Sequence, residues 1–154
     1  MSRATVLVVV IVVLALSGGT AWYMFGPDAA HGEFVRAADS VCRDFEKKVQ
    51  TAELGVAWVT PAKRPAALRQ LAGVYEKERL ALLDLEAPDG DKAAFGAFSE
   101  ALKKHATALK EVAAATALAE EERGSAVELY DASLKQERRA AEALGFKVCG
   151  TPRV

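Results

Sequence analysis

A long run without charged residues, residues 4–26, constrains the chain more than any other feature of the sequence. Its first part, Val6–Leu16, is apolar at every position, and its last part is rich in aromatic residues. The hydrocarbon core of a bilayer is about 30 Å thick, and roughly 20 apolar residues in a helix span it. The run therefore predicts a transmembrane signal anchor within residues 1–27, with residues 4–26 in the lipid bilayer.

The charges on either side of this run predict its orientation. Arg3 is the only charged residue before it, whereas Asp28 and Glu33 follow it. Positive flanks stay in the cytoplasm, so we expect a single-pass protein of the cell membrane with its N-terminus inside and residues 28–154 extracytoplasmic. The alternative is a signal peptide cleaved near Ala15–Ser17, which would release a secreted domain. Both interpretations export the domain.

The charge balance argues against one class of partner. Lysine and arginine number 20, aspartate and glutamate number 21, and the formal net charge is −1. Nucleic-acid binding depends on a sustained basic stripe, and the sequence has none. We therefore expect no nucleic-acid partner. The exported residues are numerous enough for one domain with its own core.

The two cysteines, Cys42 and Cys149, predict a disulfide because an exported domain meets an oxidising environment. The bond would close almost the whole domain into one loop. In the chain-entropy model, closing a loop of about 100 residues contributes roughly 4.7 kcal/mol. The alternative is a pair of buried free thiols. A redox-active pair is not expected, since the sequence has no Cys-x-x-Cys spacing.

Apolar residues at spacings of three and four predict four helices and no strand in the exported domain. Gly26-Pro27-Asp28 is expected to break the membrane helix and to begin a hinge at residues 28–33. The four predicted helices cover about residues 33–58, 65–86, 92–123 and 125–144. The third helix has the most regular apolar seam, which is predicted to comprise Phe95, Phe98, Leu102, His105, Leu109, Val112, Thr116 and Ala119. The predicted inward stripe of the fourth helix is Val127, Tyr130, Leu134, Ala141 and Leu144.

A capping pattern predicts the boundary between the third and fourth helices. Gly124 is expected to end the third helix, and Ser125–Glu128 has the form of a capping box. The third helix would then be about 45 Å long and the fourth about 30 Å. The alanine-rich residues 113–118 would lie opposite the end of the first helix at the distal tip of the bundle. Either the third helix breaks early, or this tip exposes apolar surface.

Short connections favour antiparallel packing of consecutive helices. The sequence thus predicts an all-α fold, in which an N-terminal transmembrane helix precedes an antiparallel up-down-up-down four-helix bundle closed by one disulfide. The bundle comprises residues 34–150, and residues 151–154 form a tail. The first helix leaves the membrane and the fourth returns toward it, so Cys42 and Cys149 lie at the same end, as a disulfide requires.

His105 occupies a core position in the third predicted helix and marks a candidate buried polar site with Tyr75 and Asp131. Its partner would be Tyr75, Tyr130, Asp131 or a water molecule. The alternative is a metal or haem ligand, which requires several convergent ligands. The sequence has one other histidine, His31, and no Glu-x-x-His or Cys-x-x-Cys-His pattern. We therefore expect no metal and no cofactor.

The residue patterns of known enzymes are missing from the sequence. There is no glycine-rich phosphate loop, no nucleophile elbow and no pair of catalytic carboxylates. Because no catalytic group can be assembled, we expect no catalytic residues and a protein that is not an enzyme.

Two segments carry a resemblance to known proteins. Ala37-Ala38-Asp39-Ser40-Val41-Cys42 lies near the start of the domain, and Ala140–Gly150 ends it with the pattern Leu-Gly-x-x-x-Cys. With Ala87-Pro88 and Phe95 between them, these segments resemble a group of small exported proteins of actinobacteria and their relatives. The resemblance implies an alanine-rich helical domain, a disulfide and a membrane or lipid anchor, and it implies no activity. This chain has no lipobox, unlike the lipid-anchored members.

Two functions are compatible with these patterns. A candidate interaction surface lies at the distal tip of the first helix, and it comprises Leu54, Val56, Trp58 and Val59. Apolar surface at this tip would favour a module that binds another envelope protein or a wall polymer. The alternative is a small-ligand-binding or sensory bundle with a site around His105. A core cavity there would favour this alternative, and a filled seam would oppose it.

Overall fold

The computed structural model describes residues 27–116 and 120–151, and every regular element in these ranges is helical. The elements are α1 (Pro27–Trp58), a short 3-10 turn (Pro61–Lys63), α2 (Arg64–Leu83), α3 (Lys92–Ala115) and α4 (Glu120–Ala143). The prediction of an all-helical domain with four helices is confirmed.

Consecutive helices pack against each other, with α3 lying between α2 and α4. The predicted seam of α3 is buried at Phe95, Phe98, Leu102, His105 and Leu109. Because α3 packs against a helix on each of two sides, it has more buried residues than α2. The spacings of three and four therefore predicted the buried face of this helix correctly.

The start of α1 differs from the prediction. The helix begins at Pro27 and continues through residues 28–33, so the predicted hinge is wrong. Proline is well suited to the first position of a helix, where its missing N–H would have no partner in any case.

The predicted membrane anchor, residues 4–26, lies outside the described residues. Within the described ranges, none of the helices combines the length and the apolar character that crossing a membrane requires.

The boundary between α3 and α4 is also earlier than predicted. α3 ends at Ala115 and α4 begins at Glu120, so Gly124 and the proposed capping box Ser125–Glu128 lie inside α4. The two helices consequently have equal lengths, 24 residues each. Acidic residues favour the start of a helix, and the sequence offers three consecutive glutamates there. α3 thus breaks early, and the other alternative holds as well, because Leu54 and Trp58 expose apolar surface at the tip.

The C-terminal segment, residues 144–151, turns back from α4 onto α1. Gly145 has a φ of 72° and ends the helix in the left-handed conformation that glycine adopts easily. Phe146 then packs against Phe34 and Phe98, with ring centroids 6.0 and 5.2 Å apart. Cys149 forms the predicted disulfide with Cys42.

The side chain of Asp39 binds the backbone of this returning segment. Its carboxylate accepts hydrogen bonds from the N–H groups of Lys147 at 2.9 Å, Val148 at 2.9 Å and Cys149 at 3.3 Å. Asp39 lies one helical turn before Cys42, so the charged contact and the covalent bond fix the same stretch of chain. An ionised acceptor makes stronger hydrogen bonds than a neutral one, which suits a segment without regular structure of its own.

Candidate functional site

The seam between α1 and α4 is open. No described Cα atom of α1 lies within 8 Å of a Cα atom of α4. Each pair of helices that are consecutive in the chain is, by contrast, closely packed. A cleft of about 570 Å³ occupies this space. Its walls are Gln50, Glu53, Leu54 and Ala57 of α1 and Tyr130, Leu134, Glu137 and Arg138 of α4, with Tyr75 of α2 and Gly150–Thr151 completing the lining.

Two aromatic rings of the cleft pack on His105. The ring centroids of Tyr75 and His105 are 4.3 Å apart, and those of His105 and Tyr130 are 5.3 Å apart in an edge-to-face arrangement. Three helices contribute these rings, since Tyr75 belongs to α2, His105 to α3 and Tyr130 to α4. The imidazole is completely buried, so it supports the cleft from behind and does not line it.

A buried hydrogen bond joins His105 to the cleft wall. Nδ1 of His105 contacts a carboxylate oxygen of Glu137, whose side chain is only 5% exposed. Nε2 of His105 is buried and has no hydrogen-bond partner within the described part of the chain. The neutral tautomer with its hydrogen on Nδ1 fits this geometry best. It donates to Glu137 and leaves a lone pair on Nε2, which costs less to bury than an unpaired N–H of a charged ring.

Glu137 thus places a carboxylate at the wall of the cleft. The pKa of Tyr130 is raised above its ordinary value, first by burial and then by the negative charges of Glu53, Glu137 and Asp131. Each of these groups disfavours the phenolate form. The potential in the cleft near Tyr130 is thus negative.

A second, smaller cavity of about 330 Å³ adjoins the cleft at Glu53 and Tyr130. The rest of its lining is entirely aliphatic and comprises Val56, Leu68, Leu71, Leu109 and Val112. The two spaces share two side chains and differ in character. The cleft is partly polar, whereas the smaller cavity is lined mainly by aliphatic side chains.

Of the predicted buried polar site, the structure brings together His105 and Tyr75 but not Asp131. Asp131 is exposed on α4, so its proposed place in the cluster is wrong. Glu137, a helical turn and a half further along, holds the position beside His105. Asp131 acts on the site only at a distance, through its charge on Tyr130.

The sequence contained a signal for Glu137 that the predicted apolar stripe of α4 passed over. That stripe ran through Tyr130 and Leu134 and resumed only at Ala141, leaving one turn without an inward residue. A helix stripe continues at every turn, so residue 137 or 138 had to face inward. Val127, predicted to lie inward, is instead 47% exposed.

The four tip residues are distributed over partly and fully exposed positions. Trp58 is 85% exposed and Leu54 is 58% exposed, whereas Val56 and Val59 are partly buried. Leu54 also lines the cleft. The tip surface and the cleft are therefore adjacent parts of α1.

The acidic and histidine side chains do not form a metal site in the part of the chain that is described. No group of three or more histidine, cysteine, aspartate or glutamate residues there is placed to hold an ion. The fully buried Glu78 of α2 does not complete such a group with His105 and Glu137.

Comparison of the chain with protein-family models, with curated proteins and with solved structures gives no match. The arguments about function consequently depend on the geometry of this domain.

Proposed function

We propose that the domain binds a small organic molecule in the cleft between α1 and α4. The observation that carries this proposal is the open seam itself, a space of about 570 Å³ in a small domain whose consecutive helices are packed. Ligand sites in proteins commonly have volumes of roughly 300–1,000 Å³ and combine apolar walls with a few placed polar groups. This cleft has both properties.

The polar groups beside the cleft support a binding role over a purely structural one. A buried carboxylate and a buried imidazole contribute little net stability as a pair, because their desolvation offsets their attraction. Leucine or phenylalanine at positions 105 and 137 would fill the seam without that cost. Retaining Glu137 at the wall gives the cleft a charged recognition group.

A fragment screen by protein NMR tests this proposal. We expect fragments to shift the ring resonances of Tyr75 and Tyr130, and the variant Leu134→Trp to weaken their binding at least about tenfold by filling the cleft. Leu129→Trp is the matched control, because Leu129 is exposed on the same helix and does not line the cleft. Fragments that bind equally well to the Leu134→Trp variant, or a screen without any binder, would refute the proposal.

The location of the protein is part of the same proposal. The apolar residues 4–26 support a single-pass anchor that holds an antiparallel up-down-up-down bundle on the extracytoplasmic side of the cell membrane. A cysteine introduced at Ser2 or at the exposed Glu111 tests the orientation with a thiol reagent that does not cross membranes. We expect Glu111→Cys to react in intact cells and Ser2→Cys only after lysis. The reverse pattern would exclude this topology, and the mass of the mature chain distinguishes an anchor from a cleaved signal peptide.

The exposed tip supports a second candidate function, the binding of an envelope protein or a wall polymer. The supporting observation is the exposure of Trp58 and Leu54, since large apolar side chains at neighbouring exposed positions favour a contact surface. Photo-crosslinking from position 58 in intact cells tests it. One reproducible partner that is lost in a Leu54→Asp variant supports this function. Crosslinks to the same products from the exposed position 80 would contradict it.

A further inference from the structure

We infer that the ligand is an organic cation with an apolar chain, its charged head held between Tyr75, Tyr130 and Glu137 and its chain in the adjoining aliphatic cavity. This inference rests on the proposed function and specifies the chemistry of the molecule that the cleft accepts.

The two tyrosine rings of the cleft favour a cation as the ligand. Tyr75 and Tyr130 both line the cleft, and both are positioned by packing on the buried His105. The faces of aromatic rings carry negative partial charge and attract ammonium groups, which is how many proteins recognise organic cations. Rings that are fixed by a buried neighbour lose little conformational freedom when a ligand binds.

The second argument is the sign of the charge in the cleft. Glu53 and Glu137 are both in its wall, and together with Asp131 they raise the pKa of Tyr130. Arg138 is the only basic residue in the lining, and its side chain is exposed at the rim, where water and salt screen its charge. Glu137 is almost completely buried and is screened much less. A cation is therefore attracted and an anion is repelled.

A third observation is the aliphatic cavity of about 330 Å³ that shares Glu53 and Tyr130 with the cleft. A molecule whose charged head lies beside Tyr130 can extend an attached chain toward Leu71, Leu109 and Val112. Burying each methylene group of such a chain is favourable, so the affinity should rise up to about fourfold per methylene. The arrangement suits an alkylammonium and offers nothing to a strongly hydrated polar solute.

A comparison of three ligands with the same chain tests the inference on the full, oxidised protein. Hexylammonium, 1-hexanol and hexanoate differ chiefly in charge, and NMR titration of the two tyrosine rings measures the affinity of each. We expect hexylammonium to bind at least about tenfold more tightly than hexanol, and hexanoate to bind most weakly. Butyl- and octylammonium measure the contribution of the chain.

Two pairs of variants identify the groups responsible. Tyr130→Leu should weaken hexylammonium binding about 5- to 30-fold, whereas Tyr130→Phe, which keeps the ring face, should remain within about threefold of the unaltered protein. Glu137→Gln should reduce the preference for hexylammonium over hexanol about tenfold. Glu111→Gln removes the same charge from an exposed position outside the cleft and should leave this preference unchanged.

The outcomes separate the two proposals. If hexanol binds in the cleft as tightly as hexylammonium, the inference about charge is overturned and the proposed ligand-binding function stands. An affinity that does not change with chain length overturns the role of the aliphatic cavity. If neither these ligands nor any fragment binds in the cleft, both proposals fall.

Discussion

The contact between His105 and Glu137 places two polar side chains together in the buried core. His105 is completely buried, Glu137 is almost so, and each removes the other's most costly unpaired group. Removing one partner of a buried hydrogen-bonded pair leaves the other unsatisfied, which is usually more damaging than replacing both by apolar residues. The effect of a substitution at one of these positions on stability therefore depends on the residue at the other, although the two are 32 residues apart in the chain.

A double-mutant cycle measures this dependence. We expect His105→Leu to lower the free energy of unfolding by about 3 kcal/mol, because it leaves the Glu137 carboxylate buried without its donor. The double variant His105→Leu with Glu137→Leu should be more stable than His105→Leu alone, since no polar group is then left unpaired. Urea unfolding of the four proteins gives the coupling free energy. Additive losses within about 0.5 kcal/mol would show that the two side chains act independently.

Tyr130 makes the stability of the domain sensitive to alkaline pH. Burial and the charges of Glu53, Glu137 and Asp131 raise its pKa in the folded state, whereas tyrosine in an unfolded chain has a pKa of about 10. The folded state therefore binds the phenolic proton more tightly. This contribution to stability is complete below about pH 10 and is lost as the pH rises through the raised pKa of Tyr130.

The matched variant for this prediction is Tyr130→Phe. We expect the free energy of unfolding of the variant to decline less steeply above about pH 10 than that of the unaltered protein. Other tyrosines and lysines titrate in the same range, and the difference between the two proteins removes their contribution. Identical slopes in urea unfolding at pH 9 to 11 would contradict the assignment to Tyr130.

At the scale of helices, the start of α4 lies between two competing local signals. Gly124 and the pattern Ser125–Glu128 predicted a helix start, yet α4 begins at Glu120 and continues through them. The sequence has three consecutive glutamates at residues 120–122, and acidic residues favour the start of a helix. The earlier start is formed despite a capping preference of about 1 kcal/mol for the later one.

The position of Gly124 inside α4 leads to a prediction about glycine substitutions. Gly124→Ala should stabilise the domain by up to about 1 kcal/mol, because alanine is the better helix former and a Cβ atom there meets nothing within 4 Å. Gly145→Ala should instead destabilise it by roughly 1–2 kcal/mol, because residue 145 has a φ of 72°. Thermal or urea unfolding of both variants checks the pair. A loss of stability in Gly124→Ala would favour the later helix start.

Several elements of the fold could be predicted from sequence because their cause is local or pairwise. The apolar seam of α3 repeats at spacings that only one helix face satisfies, and two cysteines leave one possible pairing. The open seam could not be predicted in this way. It depends on the distance between α1 and α4, which no residue pattern in either helix encodes. Asp39, whose role is to hold backbone N–H groups more than 100 residues away, gave no recognisable signal either.

At the scale of the whole molecule, the structure is closed by covalent chemistry and not by helix packing. α1 and α4 do not pack against each other, and the C-terminal segment is joined to α1 by the disulfide, by the carboxylate of Asp39 and by the contact of Phe146 with Phe34. The cleft exists between these two helices because the closure acts only at one end. Fastening the seam along its whole length would leave no space for a ligand.

Loss of the disulfide should therefore destabilise the entire domain. The double variant Cys42→Ala with Cys149→Ala is expected to lower the free energy of unfolding by about 2–5 kcal/mol, because the unfolded chain regains the freedom of a long loop. Urea unfolding measures this loss, and the unaltered protein in the presence of a reductant provides an independent comparison. An unchanged melting temperature in both cases would show that the bond does not support the fold.

The bond between Cys42 and Cys149 also determines how the domain responds to force. Tension between its two ends passes from residue 42 to residue 149 through one sulfur–sulfur link, so the chain between them carries no load. After reduction, the full separation of 107 residues enters the line of force, which adds about 350–390 Å of extended length at roughly 3.3–3.6 Å per residue. The domain is therefore short and stiff under a pull while the bond is intact, and long and compliant once it is broken.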